Sequence, residues 1–115
     1  MRRFIDMADF NYSQVINELK LFRDQRGWQN YHTLPALARA LSVEVAEINE
    51  LFLWRENQTD LSEQQLVSLK LEMADALTYL YYMCDLLGVT PNNIVHQKYL
   101  INQKRHWQFD TGQGE

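Results

Sequence analysis

Two acidic pairs at helical spacing lie inside the apolar-periodic part of this chain, between Leu41 and Leu80. The first is Glu44-Val-Ala-Glu47, which runs on through Ile48-Asn49-Glu50-Leu51-Phe52-Leu53-Trp54. The second is Glu72-Met-Ala-Asp75, which runs on through Ala76-Leu77-Thr78-Tyr79-Leu80. Apolar residues at three- and four-residue intervals predict a core helix for each stretch. A carboxylate on such a helix has two options. It faces water, or it meets other carboxylates across a packing seam, where their charge has to be offset.

Composition narrows the scaffold that can hold them. A chain of 115 residues reads as one helical domain, 1–115, with a lead-in arm over 1–12 and a tail over 106–115. Four Gly and two Pro leave little turn chemistry for a many-stranded β fold, so helices with few connections are expected. A net charge of −4 argues against a nucleic-acid partner, which calls for a basic surface. The single Cys84 rules out an intramolecular disulfide framework and a cysteine-built zinc site. Met1-Arg2-Arg3-Phe4-Ile5-Asp6 is not a signal peptide, and Ala76 to Cys84, between Asp75 and Asp85, is too short to span a bilayer. The expectation is a soluble, cytoplasmic protein that does not associate with membranes.

Punctuation residues predict four helices. Ser13 is the expected N-cap of the first, with Val15, Ile16, Leu19 and Phe22 on its apolar face and Gly27 as the stop. Trp28 to His32 read as a short connection. Thr33, with Pro35 in the first turn, opens a second helix to about Glu56, with Leu37, Leu41, Val45, Ile48 and Phe52 facing the core. A polar loop covers Asn57 to Leu61. Ser62-Glu-Gln-Gln65 has the form of a capping box for a third helix through Leu66, Leu69, Met73, Leu77 and Leu80 to Leu87, closed by Gly88. Thr90-Pro91 opens a fourth to about Arg105. Four helices on short connections imply an all-α antiparallel four-helix bundle.

Residues three apart stand about 60° apart round a helix, so Glu44, Glu47 and Glu50 form one acidic strip, with Trp54 near it. Glu72 and Asp75 form a second, with Tyr79 one turn on. If Leu41, Ile48, Met73 and Leu77 are buried, the strips approach each other at the seam between helices two and three. Converging carboxylates either take up protons or bind a cation. Oxygen ligands without Cys or His suit Mg²⁺, Mn²⁺ or Ca²⁺, and Mg²⁺ on carboxylates usually completes its shell with water and substrate phosphates. A di-iron bundle would need Glu-x-x-His, which neither pair supplies. If the strips face solvent instead, the chain is a non-catalytic helical interaction module.

Glu44-x-x-Glu47 followed by Glu72-x-x-Asp75 resembles the metal-binding signature of the all-α nucleoside triphosphate pyrophosphohydrolases, the MazG-like proteins and their dCTP pyrophosphatase branch. Phe22-Arg-Asp-Gln-Arg-Gly-Trp28-Gln-Asn-Tyr31-His32 is similar to the segment preceding the second helix in that branch. Glu50-Leu-Phe-Leu-Trp54 is similar to the run after its first acidic pair, and Lys98-x-x-x-Asn102 to the K-x-x-x-N of its last helix. The match spans roughly Leu19 to Arg105 in the right order.

The resemblance implies Mg²⁺-dependent hydrolysis of a deoxynucleoside triphosphate to monophosphate and pyrophosphate, with Mn²⁺ a possible substitute. It makes Glu44, Glu47, Glu72 and Asp75 the metal ligands, and Glu47 or Glu50 the group that handles the attacking water. Trp28, His32 and Trp54 become base and sugar contacts, and Tyr79, one turn from Asp75, is expected to face the nucleotide; Lys98, Asn102 and Arg105 become phosphate contacts on one helix face. It favours dCTP, with dATP or a broader range open, and a homodimer or homotetramer. One copy of the signature excludes the two-domain form.

Overall fold

A computed structural model describes residues 9–53 and 61–105 of the chain. Four α-helices account for most of them: α1 (Tyr12–Gln25), α2 (Leu34–Glu50), α3 (Glu63–Leu87) and α4 (Pro91–Gln103). A single 3₁₀ turn, Gln29–Tyr31, sits in the connection before α2. The chain is an all-α four-helix bundle, with no strand among the described residues. α2 and α3 form the main interface, α1 packs on α3, and α4 touches α3 more lightly. No helix among the described residues is long and apolar enough to cross a membrane.

The caps explain why the helices begin and end where they do. α1 starts two residues earlier than Ser13 predicts. Asn11 Oδ1 accepts from Gln14 N–H at 2.8 Å, and Gln14 Oε1 accepts from Asn11 N–H at 2.9 Å. That reciprocal pair satisfies two orphan donors, whereas Ser13 has Ile16 three residues on and can form no such box. Thr33 caps α2 through Ala36 N–H at 3.3 Å, with Pro35 in the first turn. Ser62 and Gln65 make the expected box on α3, at 3.1 and 2.9 Å. Gly88, at φ 69°, ends α3 in a left-handed turn in which its N–H reaches Asp85 O and Val89 N–H reaches Cys84 O. Thr90 is the N-cap of α4 but makes no side-chain bond there.

α2 is shorter than its apolar pattern suggests, ending at Glu50 rather than near Glu56. The N–H groups of Leu51, Phe52 and Leu53 turn to the carbonyls three residues back, at 3.2, 3.0 and 3.3 Å. This tightening ends the α ladder where no glycine stops it. Trp54 and residues 57–60 of the expected loop lie outside the described residues.

The core is small and aromatic. Ile16, Leu37 and Tyr82 form its buried centre, with Tyr12, Leu19, Tyr79, Tyr81 and Met83 packed around them. The Tyr82 hydroxyl donates to Leu19 O at 2.7 Å, and Lys20 pairs with Asp85 at 3.3 Å, so α1 is tied to α3 at two levels.

One expectation fails here. Leu66, Met73, Leu77, Leu80 and Leu87 are exposed, as are Val45 on α2 and Phe22 on α1. The buried side of α3 instead carries Leu69, Glu72, Ala76, Tyr79 and Tyr82 to varying depth. The helix is apolar on two faces, and periodicity alone does not say which one meets α2.

Candidate functional site

Because the Glu72 side of α3 turns inward, the acidic pairs converge. Glu44 on α2 and Glu72 and Asp75 on α3 each place a carboxylate oxygen within 4.8 Å of the others. Glu44, Glu47 and Glu72 are partly buried and Asp75 is exposed, so the group opens to solvent on one side. Helix geometry produces this. Glu44 and Glu47 project from one flank of α2, and Glu72 and Asp75 from the facing flank of α3.

The charge is held down by protons. Glu72 is pushed up to about 7, first by hydrogen bonding with Glu47, then by burial, then by hydrogen bonding with Glu44 and by the negative charge of both glutamates. Glu44 is raised by burial and by repulsion from Glu47 and Asp75, against a lowering hydrogen bond from Glu72. Protonation of Glu72 near neutral pH lowers the negative charge that the cluster carries. One oxygen of each, Glu44 Oε1 and Glu72 Oε1, is buried without a protein partner. With two orphaned oxygens in an oxygen-only cluster, Glu44, Glu72 and Asp75 could hold a hard divalent cation such as Mg²⁺. Glu44, Glu47 and Glu72 thus turn towards the seam between α2 and α3, while Asp75 and Glu50 are exposed.

Beside the cluster is a cavity of about 580 Å³. Asp75 belongs to both, which fixes the cavity against the carboxylates. Phe22, Trp28, Tyr31, His32, Tyr79 and Tyr82 line it, together with Leu19, Leu37 and Thr78. Ala36 and Ala40, one turn apart on α2, lie along its wall, where larger side chains would fill it. Trp28 stands edge-on to Phe22 with centroids 5.4 Å apart, and the Arg26 guanidinium lies 4.6 Å from the Phe22 ring. His32 stands edge-on to Tyr82 at 4.6 Å. Burial, then the nearby Arg23 cation, holds the imidazole below its ordinary range, so it is neutral at pH 7. His32 Nδ1 is buried with no protein partner. Burial, Glu44 and Asp75 raise the Tyr79 phenol, which stays a neutral hydroxyl.

The structure thus brings Glu44, Glu47, Glu72 and Asp75 together, and puts Trp28, His32 and Tyr79 in the adjoining cavity. Glu50 is the exposed last residue of α2 and stands outside the cluster. Trp54 lies outside the described residues. Lys98, Asn102 and Arg105 lie on or just beyond α4 and do not line the cavity, although Asn102 Oδ1 is buried without a partner. Sequence reasoning missed Tyr82, Phe22, Ala36 and Ala40 as wall residues. The signal was present: Asp75, Tyr79 and Tyr82 follow i, i+4, i+7, and Ala36, Ala40 and Glu44 follow i, i+4, i+8.

No family model matches this chain, and no curated protein does. A solved structure does: the pyrophosphatase AF1178 from Archaeoglobus fulgidus superposes with a TM-score of 0.77 at 33% sequence identity. The match covers 88% of this chain and 96% of that one. Identity at that level across nearly the whole of both chains is more than shared architecture, and it accompanies a clustered set of carboxylates beside an aromatic cavity. The chain belongs to the all-α family of this pyrophosphatase.

Proposed function

We propose that the protein is a Mg²⁺-dependent nucleoside triphosphate pyrophosphohydrolase, of the MazG-like group and its dCTP pyrophosphatase branch, that cuts a deoxynucleoside triphosphate into monophosphate and pyrophosphate. The observation that carries this reading is the aromatic cavity abutting the carboxylate cluster through Asp75. Inorganic pyrophosphate has no use for six aromatic walls; a nucleobase does, by stacking and edge contacts. dCTP is the favoured substrate, with dATP or a broader range the alternatives.

Each residue then has a task. Glu44, Glu47, Glu72 and Asp75 would hold Mg²⁺, which when bound would offset charge on the phosphate oxygens. Trp28 and Tyr79 hold the base, and Trp54 is assigned there by resemblance. Neutral His32 gives the base one polar contact at Nδ1. Lys98, Asn102 and Arg105 grip the phosphates as charge-assisted donors. Glu47, already in the carboxylate group, orients a water and accepts its proton; Glu50 is the alternative from the end of α2. The water oxygen bonds to the α-phosphorus, the bond to the bridging oxygen breaks, and pyrophosphate leaves with those electrons. The reading includes a homodimer or homotetramer.

The test is incubation of the full chain with each dNTP, and with pyrophosphate alone, in Mg²⁺ buffer, followed by separation of products. Monophosphate plus pyrophosphate is expected, with dCTP turned over fastest. Diphosphate plus orthophosphate would refute the chosen bond. Turnover of pyrophosphate alone would refute the nucleotide.

A further inference from the structure

Arg23 on α1 is a cation with no task so far, and most of it is withdrawn from water. Only 14% of its side chain is exposed. Its Nε donates to Asp24 Oδ1 at 2.8 Å, and its terminal nitrogens make no bond among the described residues. Asp24 is itself 51% exposed, so it offsets only part of what a buried guanidinium costs. The surroundings of Arg23 are the back of the cavity wall. The guanidinium carbon lies 6.0 Å from the centre of the Tyr82 ring, and the His32 ring stands edge-on to that same tyrosine. The Arg23 carbonyl accepts from Trp28 N–H at 3.1 Å. Arg23 does not line the cavity, yet it bears on three residues that do.

We propose that Arg23 is a positioning residue for the base: seated behind the Tyr82 ring, its charge keeps a second positive charge off His32, so that the imidazole meets a ligand with a lone pair still free. The inference rests on the reading of this cavity as the base site and names the residue that prepares it. A neutral imidazole has one accepting nitrogen, whereas an imidazolium has none. His32 Nδ1 is buried without a protein partner, so a ligand N–H group is what it can still accept from. The charges round the ring leave this task to Arg23. Of the lining residues, α2 gives Ala36, Leu37 and Ala40, none of them ionisable. The connection gives Tyr31 beside His32, and α3 gives Tyr79 and Tyr82, whose phenols burial raises and leaves neutral. Asp75 is the one carboxylate on the wall, and its pull favours an imidazolium. Burial opposes that pull first, and Arg23 second. A guanidinium keeps its charge at every pH at which the fold is used, so its repulsion does not switch off as an acid group's would.

The test is an NMR titration of the imidazole resonances of the full chain, without metal or nucleotide, with His32 assigned through His32→Gln. Arg23→Gln should move the His32 midpoint to higher pH, Arg23→Lys should leave it near the wild type, and His96 on α4 should not respond to either. Kinetics with the preferred dNTP in Mg²⁺ give the second readout. Arg23→Gln should raise KM over the wild type by about threefold or more at pH 5.5 and by less than about 1.5-fold at pH 8, with kcat within about twofold at each pH. Arg23→Lys should restore KM. A His32 midpoint that Arg23→Gln does not move overturns the inference. So does a KM raised by the same factor at every pH, which is the mark of lost packing alone. Should Arg23→Gln not fold, Asp24→Asn strips the guanidinium of its counter-charge and should move the His32 midpoint to lower pH; a midpoint unmoved or raised in that variant overturns the inference too. The midpoints are read without substrate, so a chain that turns over no dNTP refutes the proposed reaction, whereas an unmoved midpoint refutes the role of Arg23.

Discussion

Glu72 on α3 and Glu47 on α2 meet across the helix interface, and hydrogen bonding between the two carboxyls is the first cause that pushes Glu72 up to about 7. A carboxyl whose folded value lies above its unfolded one stabilises the fold while protonated. The contribution is fully present below about pH 4.5 and is lost as pH rises through about 7. In EDTA, the Tm of the wild type relative to Glu72→Gln should therefore fall between pH 5 and 7.5. His32, held low, has the opposite slope below its ordinary value, so the comparison between variants is what isolates Glu72. Parallel curves for the two proteins would remove the shared proton.

Metal binding should reverse that trend, because a cation needs the carboxylates ionised and competes with the proton on Glu72. Saturating Mg²⁺ is expected to raise Tm by about 5 °C or more at pH 7.5, and by less at pH 5.5. Glu44→Gln, which removes one charge from the cluster and alters an orphaned oxygen, should abolish most of the shift. An undiminished shift in that variant would place the cation elsewhere.

The Tyr82 hydroxyl joins α3 to the Leu19 carbonyl from a buried position, so Tyr82→Phe removes that bond between the helices. A loss of about 1–2 kcal/mol is expected by chemical denaturation. Leu37→Ala, at the best-buried side chain, should cost more, about 2–5 kcal/mol, through the cavity it opens. If Tyr82→Phe matched the wild type, the bond would have no net weight in the fold.

Trp28 touches the cavity and not the carboxylates, so its truncation should separate binding from chemistry. Trp28→Ala is expected to raise KM for the preferred dNTP about tenfold or more, with kcat changed by less than about threefold. Asp75→Asn, at the junction of cavity and cluster, should lower kcat by about a hundredfold or more. Equal effects of Trp28→Ala on both constants would mean that the ring positions reacting groups rather than the base.

The residues that were legible in sequence are those whose chemistry is local. Thr33, Ser62 and Gly88 cap their helices as their side chains or lack of one dictate, because a cap depends on three or four neighbouring residues. Glu44, Glu72 and Asp75 could be paired because spacing on a helix fixes a direction. The inward face of α3 could not be read. Met73 and Leu77 are as apolar as the residues that are buried, and only the partner helix decides between two such faces. The cavity was half legible for the same reason: Trp28, His32 and Tyr79 carry chemistry that attracts notice, whereas Ala36 and Ala40 contribute by being small. The end of α2 at Glu50 was hidden because a helix can close without glycine, by drawing its last N–H groups to nearer carbonyls.

α3 runs unbroken for twenty-five residues and carries Glu72, Asp75, Tyr79 and Tyr82 in one line. At about 1.5 Å per residue, Glu72 and Tyr82 are held roughly 15 Å apart along the axis. The helix is thus a ruler, with carboxylates at one mark and a ring at the other. A ligand too short to reach both marks forgoes one of them, and no change in a loop can reset the distance. For the proposed reaction, that spacing makes the length of the substrate a criterion apart from the identity of its base.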